Sequence, residues 1–81
     1  MKIKILGSGC KNCVMLAENA SQAAKELGLD AQVEKVTDLE AIVSYGILRT
    51  PALVVNEKVM SFGRVLSPAE IAKLLQKAGD L

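Results

Sequence analysis

The feature that most constrains this chain is its cysteine pair, Cys10-x-x-Cys13, which stands between a predicted strand and a predicted helix. Residues 1–6 alternate charged and apolar side chains, as a β-strand does, with Ile3 and Ile5 on one face. Gly7-Ser8-Gly9 ends that strand, and apolar side chains then recur at helical spacing over about residues 11–27. Both cysteines are therefore expected at the N-terminal end of the first helix.

Two further elements are predicted before the middle of the chain. Residues 31–36 form a plausible second strand, and Thr37-x-x-Glu40 has the pattern of a capping box at the start of a short helix. The apolar stripe predicted for that helix consists of Leu39, Ile42 and Val43, and Gly46 is its expected end.

The second half of the chain predicts a hairpin followed by a helix. Residues 52–55 and 58–62 are strand-like runs separated by Asn56-Glu57, a length suited to a two-residue turn. Ser67 then precedes Pro68 and stands three residues before Glu70, which is the pattern of a capped helix start. The buried stripe of this helix is predicted to be Ile71, Leu74, Leu75 and Ala78.

The predicted order of elements is β-α-β-α-β-β-α, which is an α/β fold. Two strands separated by a helix lie parallel through a right-handed crossover, and a hairpin extends the sheet in antiparallel fashion. We expect a mixed four-stranded sheet with helices on both faces. At 81 residues the chain is close to the lower size limit for stability by burial alone, so residues 1–81 are predicted to be a single domain.

Charge and hydropathy exclude several classes of protein. Ten basic and nine acidic residues are scattered along the chain, without the basic stripe that a nucleic-acid surface requires. There is no run of about 20 apolar residues that could span a membrane, and residues 1–6 lack the apolar centre of a signal peptide. We therefore expect a cytoplasmic protein that binds neither nucleic acid nor membranes.

The position of the cysteines predicts different roles for them. Cys10 would lie at or just before the first helical turn, where free backbone N–H groups and the helix dipole stabilise a thiolate, so Cys10 is the expected nucleophile. Cys13 shares the apolar face of the helix, so it should be less exposed than Cys10, and it is the expected resolving thiol. Lys11 is a candidate for lowering the pKa of Cys10, although an exposed lysine more often only solvates the surface.

Other interpretations of the pair remain open at this point. Both thiols could be buried as small apolar side chains, or they could form half of a structural zinc site, although that site needs four ligands and the chain has no histidine. A metallochaperone could bind Cu(I) through the same two thiolates. A non-catalytic interaction module would instead dock through the loop around Tyr45, Ile47 and Leu48.

Together, the Cys10–Cys13 motif after the first strand, Thr50-Pro51 before the hairpin and the final helix resemble the thioredoxin superfamily. The likeness covers nearly the whole chain. In length the chain looks like glutaredoxins, and it most closely resembles small thioredoxin-like redox-active disulfide proteins. The resemblance implies that Pro51 is cis beside the cysteine pair and that the Thr50 backbone pairs with an extended substrate. It yields catalytic candidates Cys10, Cys13 and Pro51, substrate-binding candidates Thr50, Lys11, Asn12 and Gly63, and no metal site.

Three positions depart from the pattern of that superfamily. Gly9 stands where many members have an aromatic residue, and Lys4 stands near the place of a buried acid. The segment after the hairpin reads Phe62-Gly63-Arg64, without the Gly-Gly-x-Asp-Asp pattern of glutaredoxins, so glutathione binding is not predicted.

The resulting functional prediction is a thiol-disulfide oxidoreductase. We expect a monomeric carrier, without a bound cofactor, that cycles Cys10 and Cys13 between dithiol and disulfide. Its expected partners are protein disulfides as substrates and a thioredoxin-reductase-like flavoprotein as electron donor. The Cu(I) metallochaperone is the alternative; such domains have β-α-β-β-α-β order and end in a strand.

Overall fold

A computed structural model describes residues 1–79 and has the predicted order of elements. Its strands are β1 (Lys2–Leu6), β2 (Gln32–Val36), β3 (Ala52–Val55) and β4 (Lys58–Phe62). Its helices are α1 (Lys11–Glu26), α2 (Leu39–Ser44) and α3 (Pro68–Gly79). The predicted bounds differ by one residue at three ends, because β1 and β2 each begin one residue later and α1 ends one residue earlier. No helix within residues 1–79 is long and apolar enough to cross a membrane.

Strand β1 lies inside a four-stranded mixed sheet with the order β2-β1-β3-β4. It pairs in parallel with β2 and antiparallel with β3, and β3 pairs antiparallel with β4. The predicted mixture of parallel and antiparallel pairs is therefore confirmed. Because β1 is central and its last residue precedes the cysteine loop, the sheet holds the start of α1 in place.

The alternating side chains of β1 divide the core between the two faces of the sheet. Ile3 and Ile5 pack with α1 and α3, whereas Leu6 packs with α2 on the other face. All four residues of β3 are buried, because helices cover both of its faces. The buried members of the first cluster are Ile3, Ile5, Leu16, Ala17, Ala20, Ala23, Ala24, Leu53, Val55, Leu66, Ile71 and Leu75.

The hairpin turn forms as predicted, with Asn56 and Glu57 at positive φ values of 51° and 68°. Both central residues of a type I′ turn adopt this conformation, which asparagine tolerates better than glutamate. The Glu57 carboxylate forms an ion pair with Lys4 of β1, at 2.6 Å from its Nζ, and accepts a hydrogen bond from the hydroxyl of Tyr45. These contacts compensate for a residue that the turn does not favour.

Helix α2 differs from the sequence prediction in two respects. Its N-cap is Asp38, which makes no side-chain capping bond, so the predicted Thr37 capping box does not form. Of the predicted stripe only Ile42 is buried; Leu39 is 73% exposed and Val43 is 60% exposed. The helix has only six residues and is rotated so that Ile42 faces the sheet, which leaves the other two on the solvent side.

Helix α3 begins with the predicted capping box. The backbone N–H of Glu70 donates to Ser67 Oγ, and the backbone N–H of Ser67 donates to Glu70 Oε1, both at 3.2 Å. Ile71 and Leu75 are fully buried and Leu74 partly so, as predicted. The predicted burial of Ala78 lies outside the described side chains.

Replacing Ser67 by alanine should lower the free energy of unfolding by about 1 kcal/mol, because one backbone N–H of the first turn loses its acceptor. Urea denaturation of the reduced protein measures this change. Ser21→Ala, at an exposed position within α1, is the matched control and should be neutral or slightly stabilising. Equal effects of the two substitutions would contradict a capping role for Ser67.

Candidate active site

Cys10 is the N-cap residue of α1, and Cys13 lies in the first turn of the same helix. The backbone at Cys10 is extended, with φ −67° and ψ 169°, and becomes helical at Lys11. This geometry leaves the Cys10 side chain exposed, whereas Cys13 points into the protein and is only 5% exposed. The predicted difference in exposure between the two thiols is confirmed.

The two thiols contact each other in the reduced state. Their Sγ atoms are 2.7 Å apart, and the backbone N–H of Cys13 donates to Cys10 Sγ at 3.4 Å. The sulfur of Cys10 thus has the place that a serine or aspartate oxygen has in an ordinary N-cap. A disulfide needs a sulfur–sulfur distance of about 2.05 Å, so the pair can close with little movement.

The same contacts move the pKa values of the two thiols in opposite directions. A hydrogen bond from the Cys13 thiol, followed by backbone N–H groups at the start of α1, lowers the pKa of Cys10. Burial, followed by the hydrogen bond to Cys10, raises the pKa of Cys13. The charge of Lys11 is not among the principal causes of the lowered pKa of Cys10. Of the two thiols, Cys10 is therefore the one that ionises first as the pH rises.

Gly7 is a part of this site that sequence reasoning treated only as the end of a strand. A Cβ atom at Gly7 would overlap Cys13 Sγ, and it would lie 3.2 Å from Cys13 Cβ and 3.7 Å from Thr50 Cβ. Gly7 is not among the glycines with positive φ, so the lack of a side chain is required by space and not by backbone conformation. Gly7 therefore lies where Cys13 and the Thr50 loop come close to each other.

The loop that contains Thr50 and Pro51 lies beside Cys13, and its Thr50–Pro51 peptide bond is cis, as the resemblance implied. The backbone N–H of Gly63, at the end of the hairpin, donates to the carbonyl oxygen of Pro51 at 2.9 Å. Pro51 is buried and Thr50 is exposed. The structure thus brings together the predicted residues Cys13, Thr50, Pro51 and Gly63. Lys11 and Asn12 are exposed on the first turn of α1, between the two cysteines.

Lys4, near the place of the buried acid in many thioredoxins, belongs to a separate polar cluster. Its Nζ pairs with Glu57 and donates to the hydroxyl of Tyr45 at 3.0 Å. Hydrogen bonds from Lys4 to Glu57 and then to Tyr45 raise the pKa of Lys4. The cluster joins β1 to the end of α2 and to the hairpin turn, so its evident contribution is structural.

A small cavity of about 140 Å³ lies beside Cys13. Its lining is mostly apolar or glycine, and its polar side chains are those of Lys35 and Thr37; the full lining is Ile5, Gly7, Gly9, Cys13, Val14, Lys35 and Thr37. Among residues 1–79, no carboxylate lines the cavity. The sequence did not indicate Lys35 at all and indicated Thr37 only as a helix cap, because their proximity to Cys13 depends on the pairing of β2 with β1.

A sheet in which a Cys-x-x-Cys helix start lies beside a cis-proline loop is the arrangement of thioredoxin-like oxidoreductases. A family model described as thioredoxin domain matches residues 1–76. A thioredoxin of Methanothermobacter thermautotrophicus is 47% identical over 75 residues, which are 93% of this chain and 97% of that protein. A thioredoxin of Methanocaldococcus jannaschii is 35% identical over 74 residues, which are 91% and 85% of the two chains.

A solved structure also has this fold. Thioredoxin 1 of Thermosipho africanus superposes with a TM-score of 0.63 at 19% identity, covering 99% of this chain and 96% of that chain. The chain belongs to the thioredoxin family and is a thiol-disulfide oxidoreductase. Neither the comparisons nor the topology supports the Cu(I) metallochaperone, because the helix α3 capped by Ser67 stands where those domains have a final strand.

Replacing Gly7 by alanine should displace Cys13, because the new methyl group needs the space of its sulfur atom. We expect the free energy of unfolding to fall by about 1–3 kcal/mol, as for overpacked cores, and the alkylation of Cys13 to become faster. Denaturation and mass spectrometry of the alkylated protein measure the two effects. Ser8→Ala, at the exposed neighbouring position, is the control. An unchanged rate for Cys13 in the Gly7 variant would show that this contact does not protect it.

Proposed function

We propose that this protein is an electron carrier that reduces protein disulfides, with Cys10 as the nucleophile and Cys13 as the resolving thiol. The observation that carries the proposal is the asymmetry of the pair. Cys10 is exposed and has a lowered pKa, whereas Cys13 is buried and has a raised pKa, and their sulfur atoms are 2.7 Å apart. An exposed thiolate attacks substrates, and a buried thiol close to it favours intramolecular resolution.

In the first step, the Cys10 thiolate attacks one sulfur of a substrate disulfide. A bond forms between Cys10 and that sulfur, the substrate disulfide bond breaks, and the other substrate sulfur leaves as a thiolate that takes a proton from solvent. The lowered pKa of Cys10 increases the fraction of this thiol that is ionised, and only the thiolate is nucleophilic. The product of this step is a mixed disulfide.

In the second step, Cys13 gives up its proton to solvent and attacks the Cys10 sulfur. The Cys10–Cys13 bond forms, the bond between Cys10 and the substrate sulfur breaks, and that substrate sulfur leaves as a thiolate that takes a proton from solvent. The substrate has then gained two electrons and two protons, and the protein holds a disulfide in place of its dithiol. Because Cys13 is buried, it is shielded from external disulfides but already contacts the sulfur that it must attack.

We assign the neighbouring residues to substrate binding. Thr50 is an exposed residue whose backbone is suited to pair with an extended segment of the substrate, and the buried Pro51 follows it beside the dithiol. Gly63 lies on the hairpin side of this surface, where its backbone N–H holds Pro51 and its lack of a side chain leaves room for Arg49. Lys11 and Asn12, on the exposed first turn of α1, are placed to flank the mixed disulfide.

The carrier must be reduced again after each cycle. We propose that a thioredoxin-reductase-like flavoprotein supplies the two electrons, in line with the family of the chain. Reduction would proceed through the same exposed Cys10, because Cys13 is the buried member of the pair. A cytoplasmic location and a monomeric state stay predictions of the sequence.

Replacing Cys13 by serine should stop the cycle at the mixed disulfide, because the resolving thiol is absent. With a disulfide-bonded protein such as insulin, Cys13→Ser should accumulate a covalent complex that is visible on a non-reducing gel and is released by dithiothreitol. Turnover of insulin by this variant should be lost, since only the attack by Cys10 remains.

Cys10→Ser is the matched control for this experiment. It keeps the size of the side chain and an N-cap oxygen at the start of α1, but it removes the exposed thiol. It should form no complex and reduce no insulin. A complex formed by Cys10→Ser and not by Cys13→Ser would reverse the two roles, and turnover by either single variant equal to that of the unaltered protein would exclude the mechanism.

A further inference from the structure

We propose that Arg49 and Arg64 make this protein prefer disulfide substrates that carry carboxylates next to the attacked cysteine. The inference rests on the proposed function, since it concerns the substrate that lies across the Thr50 loop and Gly63. The two arginines indicate the charge of that substrate, which the arrangement of the cysteines alone does not determine.

Arg49 is held at the place where the substrate backbone is expected to pass. It stands two residues before Pro51, and its Cβ and Cδ atoms lie 3.3 Å from the position that a Cβ atom of Gly63 would have. The stem of Arg49 therefore extends over Gly63, whose backbone in turn bonds to Pro51. A side chain at Gly63 would crowd this stem, so the glycine permits the arginine to bridge the two segments.

Arg64 adds a second positive charge beside the same glycine. Its guanidinium lies 3.5 Å from Glu70, in an ion pair of which both members are exposed. Exposed pairs of this kind contribute little, and Glu70 is also occupied by the capping box with Ser67. Arg64 can therefore turn to a carboxylate of a bound partner without breaking a strong contact.

The surrounding charges leave this side of the site positive. Arg49 takes part in neither of the ion pairs found within residues 1–79. Glu57 is in the turn at the opposite end of the hairpin, paired with Lys4. Asp38 follows β2, which is the edge strand on the far side of the sheet from β4. Glu70 offsets part of the charge of Arg64, so the local excess of positive charge rests mainly on Arg49, in a chain whose net charge is only +1.

The occupant that fits these observations is an acidic segment of a protein disulfide. An arginine side chain binds a carboxylate through two parallel hydrogen bonds, which a lysine cannot form. Leu48 is 98% exposed and Phe62 is 53% exposed, so each arginine has an apolar neighbour close by in the chain. The surface therefore suits a segment in which apolar residues and carboxylates stand near the cysteine.

The test uses three peptides with the same disulfide, in which the residue next to the cysteine is aspartate, asparagine or lysine. The kcat/KM for each is measured with dithiothreitol as reductant. We expect the order aspartate, asparagine, lysine, with a ratio of about fivefold between the first and the last at low salt. Because exposed charges are screened, the ratio should shrink towards one in about 1 M NaCl.

The variants Arg49→Gln and Arg64→Gln should each reduce the aspartate-to-lysine ratio, and the double variant should remove it. Arg49→Lys keeps the charge without the paired hydrogen bonds and should retain part of the ratio. Lys25→Gln, in the last turn of α1, is the matched control and should leave the ratio unchanged. Should the Arg49 variants fold poorly, Arg64→Gln and the salt dependence still test the proposal.

The possible results distinguish a failure of the substrate preference from a failure of the proposed function. If the unaltered protein reduces all three peptides at the same rate, the preference for acidic substrates is wrong but the proposed function stands. If it reduces none of them, the proposed function itself fails. A ratio that persists in the double variant would place the selectivity elsewhere and overturn the role of the two arginines.

Discussion

The chemistry of this site depends on the N-terminus of α1, where the sulfur of Cys10 accepts the backbone N–H of Cys13. This single contact fixes Cys10 as the exposed cap of the helix and directs Cys13 into the protein. Gly7 makes the arrangement possible from the other side, because only a residue without a side chain leaves room for the sulfur of Cys13 at the end of β1. The difference between the two thiols therefore depends on two places. The start of α1 exposes Cys10, and Gly7 at the end of β1 leaves room for the sulfur of Cys13.

The catalytic asymmetry does not require an acid at the position of Lys4. Lys4 instead joins Tyr45 and Glu57 in a cluster that ties β1 to α2 and to the hairpin turn. The lowered pKa of Cys10 comes mainly from the Cys13 thiol and the free N–H groups of the helix. In this chain the backbone N–H groups of α1 thus help to lower the pKa of Cys10, an effect that a charged side chain could otherwise have.

Local patterns predicted the parts of the structure that depend on neighbours in sequence. The cysteines at the helix start, the Asn56-Glu57 turn and the capping box at Ser67 all form as expected. Contacts between distant segments were not predictable in the same way. The crowding of Gly7 against Cys13 and the Arg49 stem over Gly63 depend on how loops meet at one end of the sheet. The predicted buried face of α2 was wrong, because six residues carry too little periodicity to define such a face.

The most direct test of the account is the pH dependence of alkylation of each cysteine in the reduced protein, followed separately by mass spectrometry. We expect Cys10 to react fast, with an apparent pKa below that of a free thiol, and Cys13 to stay protected. Alkylation of both cysteines at the same rate, each with an apparent pKa near that of a free thiol, would contradict it.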